Sequence, residues 1–598
     1  MRNRKKLECA LAILFALSSA ACDPTASSGS GLVTCSASAR ALVTRNGPYL
    51  EDKASGALQR LNGHIPRATG GFSDSGKVSE ATNLSVTLAL ELNDQTGLDR
   101  ELAQIYQPGN SKFHHFLTPS EFRARYAPTD QQVAQVQSFL KSEGLTPLSV
   151  SDNHLLVRAQ GDLKTLNSVF HTEVHQYQDA QGHSYFAPAY ELQIPADLPV
   201  QAVHGLQNVT HLRRALPGPV TTGHGGSGPG GGLSPQDIRT AYNVPSTASG
   251  TGQTLAVFEL DGYNSSDITM YASNFGLPAV PLQDVLIDGS SGSAGGGAAE
   301  VTLDIELMMA IAPGAAKIMV YEGPNGDQGI LDTYAKIAND NLAQSVSTSW
   351  GTAENGTSAS IMQTENNIFK QMAAQGQSIY SAAGDSGAYD DGSTLSVDDP
   401  SAQPYMVAVG GTSLTVGSGG VYQSETTWNG GSASAGAGGG GISTVWTIPS
   451  WQVGAAGAQA MASTTMRNVP DVSLESDIAN GYAIYTGGSW GVWGGTSAAA
   501  PLWAGFTALV NQQRAANGLG ALGFANPLLY QIGKSSRYAT DFHDISDGST
   551  NLNIPSVAGY DLATGLGSFN AQNLMSDLSG NGAGLGGILG ITNPCGGG

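Results

Sequence analysis

Three short stretches carry residue types that could do chemistry together. In GGTSAAAP (494–501), Ser497 stands after Gly495-Thr496, and the small residues that follow it close on Pro501; a serine hydroxyl so placed can act as a nucleophile. In EVTLDIELMMAIAPGA (300–315), Glu300 and Asp304 are four residues apart in a helix-compatible run, which puts both carboxylates on one face. Two acids that close repel when both ionise, so one titrates high. Such a pair can take a proton from a serine hydroxyl at a pH where histidine is already charged. In SAAGDSGA (381–388) an apolar strand ends in a tight turn that projects Asp385, and a protonated carboxyl there can donate a hydrogen bond to a developing oxyanion. Taken singly, each stretch has a plainer reading: a helix-cap serine, a solvated acidic patch at a helix start, a turn aspartate.

A nucleophilic serine ordinarily works with a histidine. The chain has 11 histidines, and ten of them (His64, His114, His115, His154, His171, His175, His183, His204, His211 and His224) precede residue 233. The remainder of the chain holds only His543, inside DFHDISDG. A Ser-His-Asp triad therefore lacks an obvious base.

The elements that must position these residues follow from composition and periodicity. Residues 233–575 alternate apolar strand-like runs, TLAVFEL (254–260), AKIMVYEG (316–323) and YMVAVGG (405–411), with helical segments. That pattern predicts an α/β domain with a mostly parallel sheet. Residues 81–213 read as a smaller α+β domain: SVTLALEL (85–92) alternates as a strand, while DRELAQIYQ (99–107) and QQVAQVQSFLKSEG (131–144) have helical spacing. Residues 214–232 form a Gly-rich linker suited to proteolytic processing, residues 23–80 a Ser/Gly/Ala-rich tether, and residues 576–598 a Gly-rich tail.

Residues 1–22 have a basic start, a short apolar run and small residues before Cys22, the pattern of a secretion signal. Cys22 resembles a lipoprotein processing site, although Ser19 stands where leucine is usual, so free secretion and lipid anchoring through Cys22 both stay open. A Cys35–Cys595 disulfide is left undecided by spacing, and no metal-type cysteine pattern exists. The net charge of -21 is uneven: residues 1–232 carry 19 Lys+Arg and 19 Asp+Glu, residues 233–598 carry 8 and 29. An acidic, lysine-poor body argues against nucleic acid or an anionic membrane as partner.

Taken together, the three stretches resemble the sedolisin (serine-carboxyl peptidase) family, and within it kumamolisin-like precursors. The resemblance spans roughly residues 81–575. It rests on Glu300-Val-Thr-Leu-Asp304, Ala383-Gly-Asp385-Ser-Gly387 and Gly495-Thr-Ser497-Ala-Ala-Ala-Pro501, with SVSTSWG (345–351), VAVGGTSL (407–414), IPSWQ (448–452) and RNVPDVS (467–473) between them in the family's order. It implies a subtilisin-like catalytic domain preceded by a ferredoxin-like activation propeptide at 81–213, signed by SKFHHFLTPSEFRARYAP (111–128). Ser497 would be the nucleophile, Glu300 the general base, Asp304 its partner, and Asp385, with the Ser497 backbone N–H, the oxyanion stabiliser. The strand-like SVSTSWG would meet the substrate backbone, with Ser347, Ser349 and Gly351 as its candidate residues.

FHDISDGSTNLNIPSVAGYDLATGLGS (542–568) resembles the family's calcium loop. One Ca2+ would be held by Asp544 and Asp561 side chains and by the carbonyls of Ile545, Val557 and Gly559; valine at 557 stands where glycine is usual. The resemblance further implies a monomer, a protein or peptide substrate, and the chain's own propeptide as inhibitor. Cleavage would fall between Arg213 and Gly232. Histidines of the propeptide, charging near pH 5 to 6, are candidates for an acid trigger. Two other readings stay in view: a Ser-His-Asp peptidase built on His543, and a binding protein that keeps the fold.

Overall fold

The computed structural model describes residues 57–214, 219–220, 223 and 225–580. The signal, Cys22, Cys35, Cys595 and most of the tail lie outside these residues. Among the described residues no helix is long and apolar enough to cross a membrane.

The N-terminal region takes its shape from one long alternating strand. In chain order its elements are β1 (Asn83–Leu90), α1 (Gln95–Ile105), α2 (Asp130–Ser142), β2 (Thr146–Val150), β3 (Leu156–Asp162), α3 (Leu163–Val169) and β4 (Val200–His204). The strands form an antiparallel sheet in the order β2-β3-β1-β4, the split β-α-β arrangement of ferredoxin-like domains. Thr129 starts α2 with a capping box closed by Gln132, so the helix begins where side chains satisfy its free N–H groups. Val133, Val136 and Leu140 of that helix pack with Val86 and Leu88 of β1.

The domain reaches further back than the predicted boundary at residue 81. Leu58–Leu61 pairs with Leu192–Pro195, and Ser73–Lys77 pairs with Val174–Gln178, so residues 57–80 are folded into this domain. Tether-like composition hid them because a short edge strand needs little apolar surface.

In the C-terminal region the central strands of the sheet are buried on both faces, as parallel sheets require. The elements are β5 (Thr254–Glu259), β6 (Leu282–Leu286), α4 (Ala298–Ile311), β7 (Lys317–Glu322), β8 (Ser345–Thr348), β9 (Trp350–Ala353), α5 (Ala359–Ala374), β10 (Ser378–Ala382), β11 (Val407–Val416), β12 (Tyr422–Thr427), β13 (Val472–Glu475) and α6 (Thr496–Ala516). The sheet runs β6-β7-β5-β8-β10-β11-β12 with β13 also on β11; only the β11–β12 pairing is antiparallel. Helix α4 is buried at every residue from Glu300 to Ile311 and packs against α6. Their approach is close enough that a Cβ on Gly505 would run into Ile311.

The ferredoxin-like domain docks on α5 and on the helix Asp327–Asp340. Lys370 pairs with Asp99 at 2.6 Å, Tyr106 donates to the Ala373 carbonyl at 2.6 Å, and Asn153 donates to Gln371 at 2.8 Å. The end of the predicted linker is also folded: Ser227 donates its N–H and hydroxyl to Asp237, both at 2.7 Å. Helix Ala571–Leu578 extends three residues past the predicted end of the peptidase domain.

Candidate active site

The candidate residues gather at the carboxyl ends of the parallel strands, where open α/β sheets form their sites. Gly495, at φ 94°, makes the turn that ends the approach to α6, a conformation that favours glycine. Ser497 is the second residue of the helix. Pro501 lies inside α6, not at its start, and cannot donate to the carbonyl four residues back, which is that of Ser497. The Ser349 hydroxyl lies 3.3 Å from that carbonyl and 2.8 Å from Asp304 Oδ1. The Ser349 hydroxyl thus lies between the backbone of Ser497 and the acid pair.

Glu300 and Asp304 are both fully buried on α4. A third carboxylate joins them: Glu259, the last residue of β5, is also fully buried and accepts from Trp350 Nε1 at 2.8 Å. Sequence reasoning missed it. Its signal was an apolar run, TLAVFEL, carrying one acid at the end of an otherwise buried strand. Burial pushes Glu259 well above the ordinary carboxylate range, and the neighbouring Glu300 charge adds to the rise. Burial does the same for Asp304, with Glu259 as its next cause. Glu259 Oε1 and Asp304 Oδ2 receive no hydrogen bond from other described residues, and a proton held between these two carboxyls satisfies both.

Asp385 lies three residues past β10. Its Oδ1 accepts from the Thr496 N–H and the Thr496 hydroxyl, both at 2.8 Å, while Oδ2 is shielded from solvent and has no hydrogen-bond partner among the described residues. Burial raises its carboxyl to about 8 despite the Thr496 donors. At and below neutral pH it is therefore a neutral acid with one donor to offer, next to the start of α6.

The three substrate-strand residues are placed differently from one another. Ser347 sits in β8, which pairs with β5 on one side and β10 on the other, so no edge is left there for a substrate. The SVSTSWG run reads as one strand because its small residues suit any buried β position, yet it breaks at Ser349. Ser349 serves the acid group. Gly351 lies in β9, whose edge pairs antiparallel with Arg213–Arg214.

His543, the histidine of a would-be triad, stacks on Tyr422 with ring centroids 4.0 Å apart, in a strand paired with Ser568–Phe569. In the candidate cation loop Asp544 accepts from Tyr538 at 2.9 Å, and Asp561 accepts from the N–H groups of Val557, Ala563 and Thr564. Among the described residues no group of three or more His, Cys, Asp or Glu could hold a metal ion. A cation here needs carbonyls as well, and those of Ile545, Val557 and Gly559 accept no hydrogen bond from described residues. Two carboxylates and three open carbonyls fit a hard, oxygen-seeking ion.

With this geometry in hand, comparison with known proteins is specific. Residues 70–209 match the pro-kumamolisin activation domain and residues 290–521 the subtilase family. The chain is 32% identical to kumamolisin of Bacillus sp. (strain MN-32) over 85% of its own length and 94% of that protein's. It is 31% identical to sedolisin of Pseudomonas sp. (strain 101), covering 83% and 88%. A solved structure of Pseudomonas sedolisin, complexed with two molecules of pseudo-iodotyrostatin, superposes with a TM-score of 0.54 at 28% identity, covering 61% of this chain and 100% of that one. The chain belongs to the sedolisin family of serine-carboxyl peptidases. It is a serine-type peptidase with a subtilisin-like catalytic domain and an N-terminal activation propeptide.

Proposed function

We propose that this peptidase is a secreted, acid-acting endopeptidase made as a self-processed zymogen. The observation that carries the reading is the pairing of a histidine-free carboxylate group, Glu259, Asp304 and Glu300, with a neutral Asp385 beside the helix that begins at Ser497. Glu300, as carboxylate, takes the Ser497 hydroxyl proton while Oγ attacks the peptide carbonyl carbon. The carbonyl oxygen gains the negative charge, and the Asp385 Oδ2–H and the Ser497 N–H stabilise it. Glu300 then gives its proton to the leaving amine, the C–N bond breaks, and an acyl-enzyme remains. Water then attacks the acyl carbon as it loses a proton to Glu300, the bond to Ser497 Oγ breaks, Glu300 returns the proton to Oγ, and the free acid leaves. Asp304, held by Ser349 and Glu259, orients Glu300 and sets its charge. These acids work where histidine is charged and unable to act as a base, which supports an acidic optimum.

The loop around Asp544 and Asp561 would hold one Ca2+ through those carboxylates and the carbonyls of Ile545, Val557 and Gly559. The ion's contribution there is structural, cross-linking the C-terminal loops.

The test is hydrolysis of a denatured protein from pH 2 to 9 after acid treatment of the purified precursor, with Ser497→Ala and Glu300→Ala alongside. An acidic optimum, shortening of the chain towards residue 233 and two inactive variants support the mechanism. Activity that peaks above neutrality and survives Glu300→Ala would pass the chemistry to a histidine. Inactivity at every pH would leave a folded binding protein.

A further inference from the structure

The helices that carry the acid pair and Ser497 begin in the same way. Each has a glycine at its N-cap, Gly297 for α4 and Gly495 for α6, and neither glycine brings a side-chain cap. In each case an aspartate just beyond a parallel strand supplies the acceptor from outside the helix. For α6 it is Asp385, three residues past β10, which accepts from the Thr496 N–H at 2.8 Å. For α4 it is Asp261, two residues past β5 in the run FELDGYN (258–264).

Asp261 uses both oxygens. Its Oδ1 accepts from the Gly262 N–H at 2.7 Å and the Gly295 N–H at 2.9 Å, and its Oδ2 accepts from the Gly297 N–H. A parallel bridge between Gly262 and Ala294 brings the two segments together. Glycine makes the fit possible: a Cβ on Gly295 would run into the Asp261 carboxylate, and one on Gly297 into that carboxylate and the Trp350 ring. Glu322, at the end of β7, accepts from the Gly292 N–H at 3.2 Å. The segment 292–297 is thus held by carboxylates from two adjacent strand ends, which pair in register at Glu259 and Glu322.

From this segment to Glu300 is a single hydrogen bond. The Gly297 N–H goes to Asp261, and the Gly297 carbonyl accepts the Glu300 N–H at 2.9 Å. The end of β5 therefore meets α4 at two heights, with Glu259 beside Asp304 and Asp261 at the helix entry.

We infer that Asp261 is a positioning residue for Glu300: its carboxylate sets the first turn of α4, and with it the reach of Glu300 to Ser497 Oγ and to the leaving nitrogen. The inference rests on Glu300 as general base and acid. Without the Asp261 carboxylate, two N–H groups of the segment lose their acceptor and the turn slackens. A displacement of about 1 Å at a reacting group costs about a hundredfold in rate.

The first test compares one acyl peptide as its amide and as its p-nitrophenyl ester, cleaved by processed enzyme. The amine must take a proton from Glu300 as it leaves, whereas p-nitrophenolate leaves without one, so a displaced Glu300 harms the amide more. Positioned proton transfer contributes about 10²–10⁴, so in Asp261→Ala the amide-to-ester ratio of kcat/KM should fall by about tenfold or more. Asp261→Asn keeps one acceptor oxygen and should lie between alanine and wild type. Equal losses on the two substrates, or no loss on either, overturn the inference. Glu300→Ala runs alongside: activity in that variant overturns the reading of Glu300 and this inference with it. An inactive Glu300→Ala beside an unimpaired Asp261→Ala overturns this inference alone.

The second test needs no catalysis. Hydrogen exchange is followed in the Ser497→Ala precursor with and without Asp261→Ala. Peptides from residues 290–300 should exchange about tenfold faster in the double variant, and those from α6 at an unchanged rate. Unchanged exchange at 290–300, or the same acceleration throughout the chain, overturns the inference.

Discussion

Replacing Asp385 separates its two contributions, because its two oxygens do different things. Oδ1 holds the start of α6 through Thr496, and Oδ2 is free to donate. Asp385→Ala removes both; loss of one oxyanion donor costs about 10²–10³ in kcat, or roughly 3–4 kcal/mol. Asp385→Asn keeps an acceptor toward Thr496 and an N–H where the acid proton stood, so it should retain more activity than the alanine variant. The stability effect has its own sign. The folded protein holds this proton up to about pH 8, whereas the unfolded chain releases it near 3.8. Stability therefore falls as pH rises from about 4 to about 8, and ionising the group in place costs on the order of 5 kcal/mol. Asparagine has no proton to lose, so Asp385→Asn should flatten that part of the profile. The assay is kcat against pH for the processed enzymes, together with thermal unfolding of the Ser497→Ala precursors at pH 4 and pH 8. An alanine variant within tenfold of wild type, or an asparagine variant with an unchanged stability profile, would refute the assignment.

Other substitutions probe the surroundings. Glu259→Gln removes the charged group that acts most on Asp304, so the acid limb of kcat should move to lower pH with a loss of about tenfold and little change in KM; an unmoved limb would make Glu259 a packing residue only. A saturating chelator should lower the melting temperature of the Ser497→Ala precursor, since calcium at a hundred times its dissociation constant stabilises by about 2.7 kcal/mol. Asp544→Asn and Asp561→Asn should each abolish that difference, and equal melting with and without calcium would empty the loop of its ion. His204→Gln keeps a partner for Thr364 but cannot charge, so propeptide release, followed by light scattering or gel filtration, should need a pH lower by roughly half a unit or more; an unchanged midpoint would remove His204 from the trigger.

What could be read from the sequence divides along a physical line. Ser497, Glu300, Asp304 and Asp385 stood out because each sits in a local pattern, a helix face or a strand-ending turn, that fixes where its side chain goes. The parallel sheet was legible for a related reason: strands buried on both faces must be continuously apolar, as TLAVFE is. Glu259 was not legible, since its role comes from Trp350 and Asp304, which are far from it in sequence. Ser347 was misplaced because nothing in SVSTSWG marks which strand edges are already paired; that depends on β5 and β10. Arg213 and Gly351 meet through a pairing between two domains, and a sequence read domain by domain does not contain it.

The propeptide interface sets two proton effects against each other, and their sum decides where acid would open it under the proposed activation. Of the propeptide histidines, two meet the catalytic domain: His204 stands 3.0 Å from Thr364, and His114 accepts from Arg514 at 2.8 Å. Burial holds each down to about 3, with the neighbouring His64 and Arg514 charges adding to the effect. A histidine depressed in the docked state favours release as pH falls from about 6.5 toward 3. Facing them, Asp327, bound by Gln207, and Asp332, bound by Arg158, are pushed up to about 7 by burial. A carboxyl raised in the docked state takes up a proton on docking, so these two strengthen the complex as pH falls from about 7 to about 4, and they contribute nothing more below that. Two groups of each sign nearly cancel between pH 4 and 6.5. Of these four groups only the histidines still titrate below about pH 4, and the balance among them tips toward release. The trigger expected near pH 5 to 6 from the number of histidines alone thus moves lower once their acidic partners are counted, into the range where the Glu300 group is expected to work.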